Sequence, residues 1–197
     1  MNIKNGIVVL FFVFGLLGIS GCVKIETGPE TAEQRTETSQ LRARDFKVNW
    51  VSRFDRVSQI QKADLLHTLI DSVSMKYFNY ARQVADQWRQ GNTGRGTVVL
   101  DSEMRDMVNR WNEGEVPLLD AYEEVVEYSI RDLNDSAFFN EVALKHFKDH
   151  IELFYEIRNK VFYPSGTVEE YELKIEFLKN QLKGRSYNLE RELGRYR

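Results

Sequence analysis

Between residues 45 and 90 the chain contains neither glycine nor proline. Over that stretch the large apolar side chains recur every three or four positions: Phe46, Trp50, Phe54 and Val57, then Leu66, Ile70, Val73, Tyr77, Ala81, Val84 and Trp88. That period places them on one face of an α-helix, whereas a half-buried strand would alternate at every second residue. The spacing slips between Val57 and Leu66, where Ser58-Gln59-Ile60-Gln61 matches a capping box, so the run is expected to be two helices in succession. The second stops at Gly91. Gly91 to Gly96 then reads as a flexible connector leading into Thr97-Val98-Val99-Leu100, a candidate extended segment.

Further helices follow on the same reasoning. Asp101 caps a short helix through Met104, Met107, Val108 and Trp111, ended by Gly114, and Pro117 suits the first turn of the next. That helix runs through Leu118, Ala121, Tyr122, Val125, Val126, Ser129 and Leu133, with Asn134-Asp135-Ser136 offering a stop and a cap together. Phe139, Ala143, Phe147, Ile151, Phe154, Arg158 and Val161 form one stripe up to Pro164-Ser165-Gly166. Thr167 with Glu170 three residues later is a second capping box, opening a helix along Val168, Tyr171, Ile175, Leu178 and Leu182. The expectation is an all-α fold, an antiparallel bundle of about five to six helices, because short connections between long helices favour antiparallel neighbours. The Val168 to Leu182 seam holds for little more than two heptads, which favours packing on its own bundle over an intermolecular zipper.

The first 21 residues have a different character. One lysine, Lys4, precedes an apolar stretch from Gly6 to Ile19, and Ser20-Gly21 then leads to Cys22, the single cysteine of the chain. Fourteen apolar residues are short of the roughly 20 that cross a bilayer, so an export signal is the better reading. Ile19-Ser20-Gly21-Cys22 resembles the lipobox of bacterial lipoproteins. The resemblance implies that Cys22 is diacylated on sulfur, that the segment before it is removed, and that two or more acyl chains hold the protein stably at a membrane without inserting it. Val23 follows the cysteine in place of the aspartate associated with inner-membrane retention, so the resemblance favours the outer membrane where the cell has two. From Val23 to about Arg44, Thr, Glu, Ser, Gly and Pro dominate, as in a solvated tether. The expected organisation is therefore a signal at 1–21, a lipid-anchored tether at 22–44 and one helical domain at 45–197.

Charge and chemistry narrow the function by exclusion. A net charge of −3 without a basic stripe argues against nucleic acid as partner. No Gly-x-Ser-x-Gly elbow, dinucleotide fingerprint or phosphate loop occurs, and once Cys22 is lipidated no thiol is left for catalysis. No enzymatic activity and no cofactor are expected. His146 and His150 stand four apart on a helix, a spacing that lets two imidazoles grip one metal ion, which makes them the candidate metal pair. Measured from the Leu144, Phe147, Ile151, Phe154 stripe they lie on its flank, so a solvated or second-row pair is the favoured reading over a metal site, which would need at least one ligand from elsewhere, and no metal is expected. Asp64, His67 and Asp71 share a face opposite Leu66, Ile70 and Val73, and water is their expected neighbour.

Aromatic residues make up 12% of the chain, and those not needed in the core would anchor a partner. The leading expectation is a membrane-anchored accessory or interaction subunit that docks an envelope protein. Trp88, Trp111, Tyr171 and Leu178 are its candidate contact residues. The alternative is a tethered ligand-binding or metal-binding module using His146 and His150.

Overall fold

A computed structural model describes residues 32–91 and 102–197, with side chains placed for 34–90 and 115–197. All elements among the described residues are helices: α1 (Ala32–Phe54), α2 (Gln59–Gly91), α3 (Ser102–Asp135), α4 (Glu141–Phe162) and α5 (Val168–Leu193). They pack together around a shared core, as a helical bundle does.

The break between α1 and α2 falls where the capping box lies. Gln61 Oε1 accepts the Ser58 backbone N–H at 3.0 Å, and Ser58 Oγ accepts the Gln61 N–H at 3.5 Å. At α5 the Thr167 and Glu170 box is complete, with both reciprocal bonds formed. Three boundaries differ from expectation. Residues 32–44, expected to be tether, are the first turns of α1; Ser39 and Ala43, four apart, are buried there although most of their neighbours face solvent. Pro117 was expected to start a helix, but lies inside a continuous α3. It has no N–H to give to the carbonyl four residues back, so one helical hydrogen bond is missing at Glu113. The cap of α4 is Asn140, whose side chain accepts the Ala143 N–H, rather than Ser136.

The α2 stripe read from spacing is buried throughout: Leu66, Ile70, Val73, Tyr77, Ala81, Val84 and Trp88 are all at or below 2% exposure. Yet α2 also buries Ala63, Phe78 and Ala85, because it touches α3, α4 and α5 at once and is the central helix. Contacts set the directions. Lys62 meets Asp132 and Lys76 meets Tyr122, so α2 and α3 run oppositely. Trp88 meets Tyr171 and Asp71 meets Ser186, so α2 and α5 do too. Tyr77 against Phe154 and Asp71 against His150 show α2 and α4 running the same way. The main partner of α1 is α3, not its neighbour α2, and the two run in parallel. Phe46 packs edge-on to Tyr122 at 4.9 Å, the Trp50 indole N–H donates to Ser129 Oγ at 3.0 Å, and Phe54 meets Tyr128.

Candidate functional site

Within the apolar core, three helices turn polar side chains toward one point. His67 and Asp71 come from adjacent turns of α2, His150 from α4 and Ser186 from α5. His150 Nε2 lies 2.9 Å from Asp71 Oδ1, and Ser186 Oγ donates to Asp71 Oδ2 at 2.6 Å. His67 Nε2 is 2.7 Å from Ser186 Oγ and 3.3 Å from Asp71 Oδ2. Exposure is graded across the group: the His150 side chain is 0% exposed, His67 14% and Asp71 34%. The site is therefore sealed at α4 and open to solvent beside α2. Next to it, the Arg185 guanidinium donates to the Asp149 carbonyl and ties α5 to α4.

Burial by itself would raise the Asp71 carboxyl, but hydrogen bonds from His150, His67 and Ser186 outweigh it and hold the group well below the usual carboxylate range. Asp71 is thus an ionised acceptor. The tautomers follow: His150 carries its proton on Nε2 toward Asp71, and since the Ser186 proton also points at the carboxylate, His67 Nε2 donates to Ser186 Oγ. That polarity is the reverse of a nucleophile and base pair, in which the hydroxyl donates to the imidazole. His150 Nδ1 is buried and has no hydrogen-bond partner.

This arrangement corrects the placement of the histidines. His150 is not on a solvated flank but wholly buried, and its partners are His67 and Asp71 rather than His146, which is half-buried and outside the cluster. His67 is largely covered and Asp71 one-third exposed, because with neighbours around α2 at α3, α4 and α5 the side opposite one apolar stripe is only partly solvated. Asp64 stays outside the cluster and forms an ion pair with Arg197. The signal within the sequence was the His67 and Asp71 spacing of four; nothing in it pointed to α4 as the third wall.

The contact candidates also resolve. Trp88, Tyr171 and Leu178 are core residues, Trp88 lying against Tyr171 at 6.0 Å between centroids, and so present no surface to a partner. Their size and helical spacing place them where α2 and α5 close on each other. The side chain of Trp111 and all of Cys22 lie outside the described residues. What α5 does expose is its outer face, with Leu173 at 72%, Phe177 at 53% and Tyr187 at 64%. A groove of about 280 Å³ runs beside it between α2 and α5, lined by Met75, Phe78, Arg82, Ile175 and Lys179 among others.

No known family model matches the chain, and no curated protein or solved structure is similar to it.

Proposed function

We propose that this chain is a lipid-anchored protein of the bacterial cell envelope, at the outer membrane where there are two, whose helical bundle docks another envelope protein as an accessory subunit. The observation that carries this reading is Ile19-Ser20-Gly21-Cys22 at the end of a 14-residue apolar run, with no other cysteine in the chain. A described helix long and apolar enough to cross a membrane is not found, which is compatible with attachment through acyl chains instead. The docking surface in this reading is the outward face of α5. Leu173 and Phe177 are one helical turn apart, Tyr187 continues the same side, and a Cβ at Gly184 between them would meet nothing within 4 Å. Large exposed side chains aligned on one helix are what a partner buries most effectively.

Metabolic labelling with palmitate tests the anchor: label is expected on the wild type and absent from Cys22→Ser. Crosslinking in cells, read by mass spectrometry, tests the docking. A single envelope protein captured by the lipidated wild type, and lost both in Cys22→Ser and in a Leu173→Glu, Phe177→Glu double variant, is the expected outcome. Capture that ignores both variants refutes the assigned surface, and an unlabelled wild type refutes the anchor.

A further inference from the structure

We infer that His67, Asp71 and His150 form a binding site for one divalent transition-metal ion of the zinc class, a site independent of the lipid anchor and of the α5 surface. One ring nitrogen of His67, one of His150 and an Asp71 carboxylate oxygen all lie within 4.8 Å of one another. Two imidazoles and a carboxylate are the donor set that zinc and ferrous sites use, with one or more further positions left to water or a hydroxyl. Tetrahedral bonds of about 2.0–2.2 Å place neighbouring donor atoms roughly 3.4 Å apart. His67 Nε2 is already 3.3 Å from Asp71 Oδ2, whereas His150 Nε2 sits 2.9 Å from the other oxygen, Oδ1, so that pair has to open by about half an ångström and the carboxylate has to turn or bind through both oxygens. Ser186 Oγ, 2.6 Å from Asp71 Oδ2 and 2.7 Å from His67 Nε2, stands where it orients both ligands.

Charge points the same way. Asp71 is partly withdrawn from water, and a carboxylate so placed is best balanced by a cation or a metal. The nearby cations are otherwise engaged, Arg185 with the Asp149 carbonyl and Arg197 with Asp64, and among the described residues Asp71 has no ion pair with a lysine or arginine. Its counter-charge has to come from the histidines or from an ion between them. Binding asks each Nε2 to exchange its proton for the metal. For His150 the proton has to move to Nδ1, which is buried without a partner, and the metal bond has to outweigh the cost of that unsatisfied N–H. The partly exposed Asp71 gives the ion a way in from solvent, while His150 closes the inner side.

The test uses the full chain without an affinity tag, in detergent, stripped with a chelator and then titrated with Zn²⁺ by calorimetry and Co²⁺ by visible absorption. One ion per chain is expected, with the intense absorption of low-coordinate Co²⁺. His67→Gln and Asp71→Asn are each expected to weaken binding on the order of a hundredfold or more, since even outer-shell changes cost 10–100-fold. His146→Gln is expected to leave it unchanged. Circular dichroism on every variant separates a lost ligand from a lost fold. Should His150→Gln fail to fold, the partly exposed His67→Gln decides. Absence of stoichiometric binding, binding that survives His67→Gln in a folded protein, or binding that follows His146 overturns the site.

Discussion

Replacing Asp71 with alanine removes the acceptor on which the polar cluster is built, and the structure says how much that should cost without any metal. His150, fully buried, keeps an Nε2 proton with no acceptor. A buried donor left unsatisfied costs about 1–3 kcal/mol. Ser186 and His67 lose their bonds to the carboxylate but stay 2.7 Å apart and satisfy each other, so their loss is smaller. Because Asp71 is one-third exposed, water screens part of the charge and takes up part of the loss. The net expectation is about 2–4 kcal/mol at neutral pH, or roughly 5–15 °C in Tm for a chain of this length. Asp71→Asn, which keeps one acceptor oxygen for His150, should lose less than half as much. Asp86→Ala, exposed on the same helix, should stay within about 0.5 kcal/mol of wild type. The assay is urea unfolding followed by far-UV circular dichroism with chelator present. Since the folded carboxyl is held below its unfolded value of about 3.9, its contribution is complete above that pH and is lost progressively as the pH falls below it. The gap between wild type and Asp71→Ala should therefore narrow from about pH 4 downward. A gap under 0.5 kcal/mol at neutral pH, or one that widens in acid, would refute the reasoning.

Two further outcomes concern stability elsewhere. Gly166 has φ of 90°, and a Cβ there would meet Glu170 Oε2 at 2.5 Å, the atom that accepts the Thr167 N–H in the α5 cap. Gly166→Ala should thus cost about 1–3 kcal/mol through strain and a displaced cap, whereas Gly184→Ala, in open space within the helix, should stabilise by up to about 1 kcal/mol. Urea midpoints that rank the two variants the other way contradict this. At alkaline pH, burial pushes Tyr80 and Tyr155 up to about 12 and Tyr77 and Tyr171 higher still, while the bond Tyr128 donates to Asp55 lifts it to about 12. Their folded values exceed the unfolded 10, so the stability they confer is whole below pH 10 and drains away between about 10 and 12. Phenolate absorbance should appear together with loss of helix; ionisation of these tyrosines near pH 10 in a fully helical protein would be inconsistent with it.

Spacing made the helices and much of the core legible, most clearly the Leu66 to Trp88 stripe and the Thr167 cap. It failed where burial did not depend on hydrophobicity. Ser39 and Ala43 are buried on α1 although neither is large and apolar, and small polar or near-neutral residues leave no mark in a pattern of large apolar ones. A stripe also says which side of a helix is interior only when the helix has one interior side. Since α2 has three partners, His67 and Asp71 look solvated on a helical wheel and yet close a polar site against α4. Pro117 misled for a local reason: proline fits the first turn of a helix so well that its place inside a continuous α3 leaves no separate mark in the sequence.

The pairing of α1 with α3 also sets an order in time. Trp50 and Ser129, which it hydrogen-bonds, are 79 residues apart in the chain, with all of α2 between them. At synthesis rates of about 5–20 residues per second, roughly four to sixteen seconds separate the two from emerging. During that interval Phe46, Trp50 and Phe54 have been made and the helix that covers them has not. Helix α1 is the one that must wait for company, and the aromatic ladder that later fastens it is meanwhile the surface a chaperone would hold.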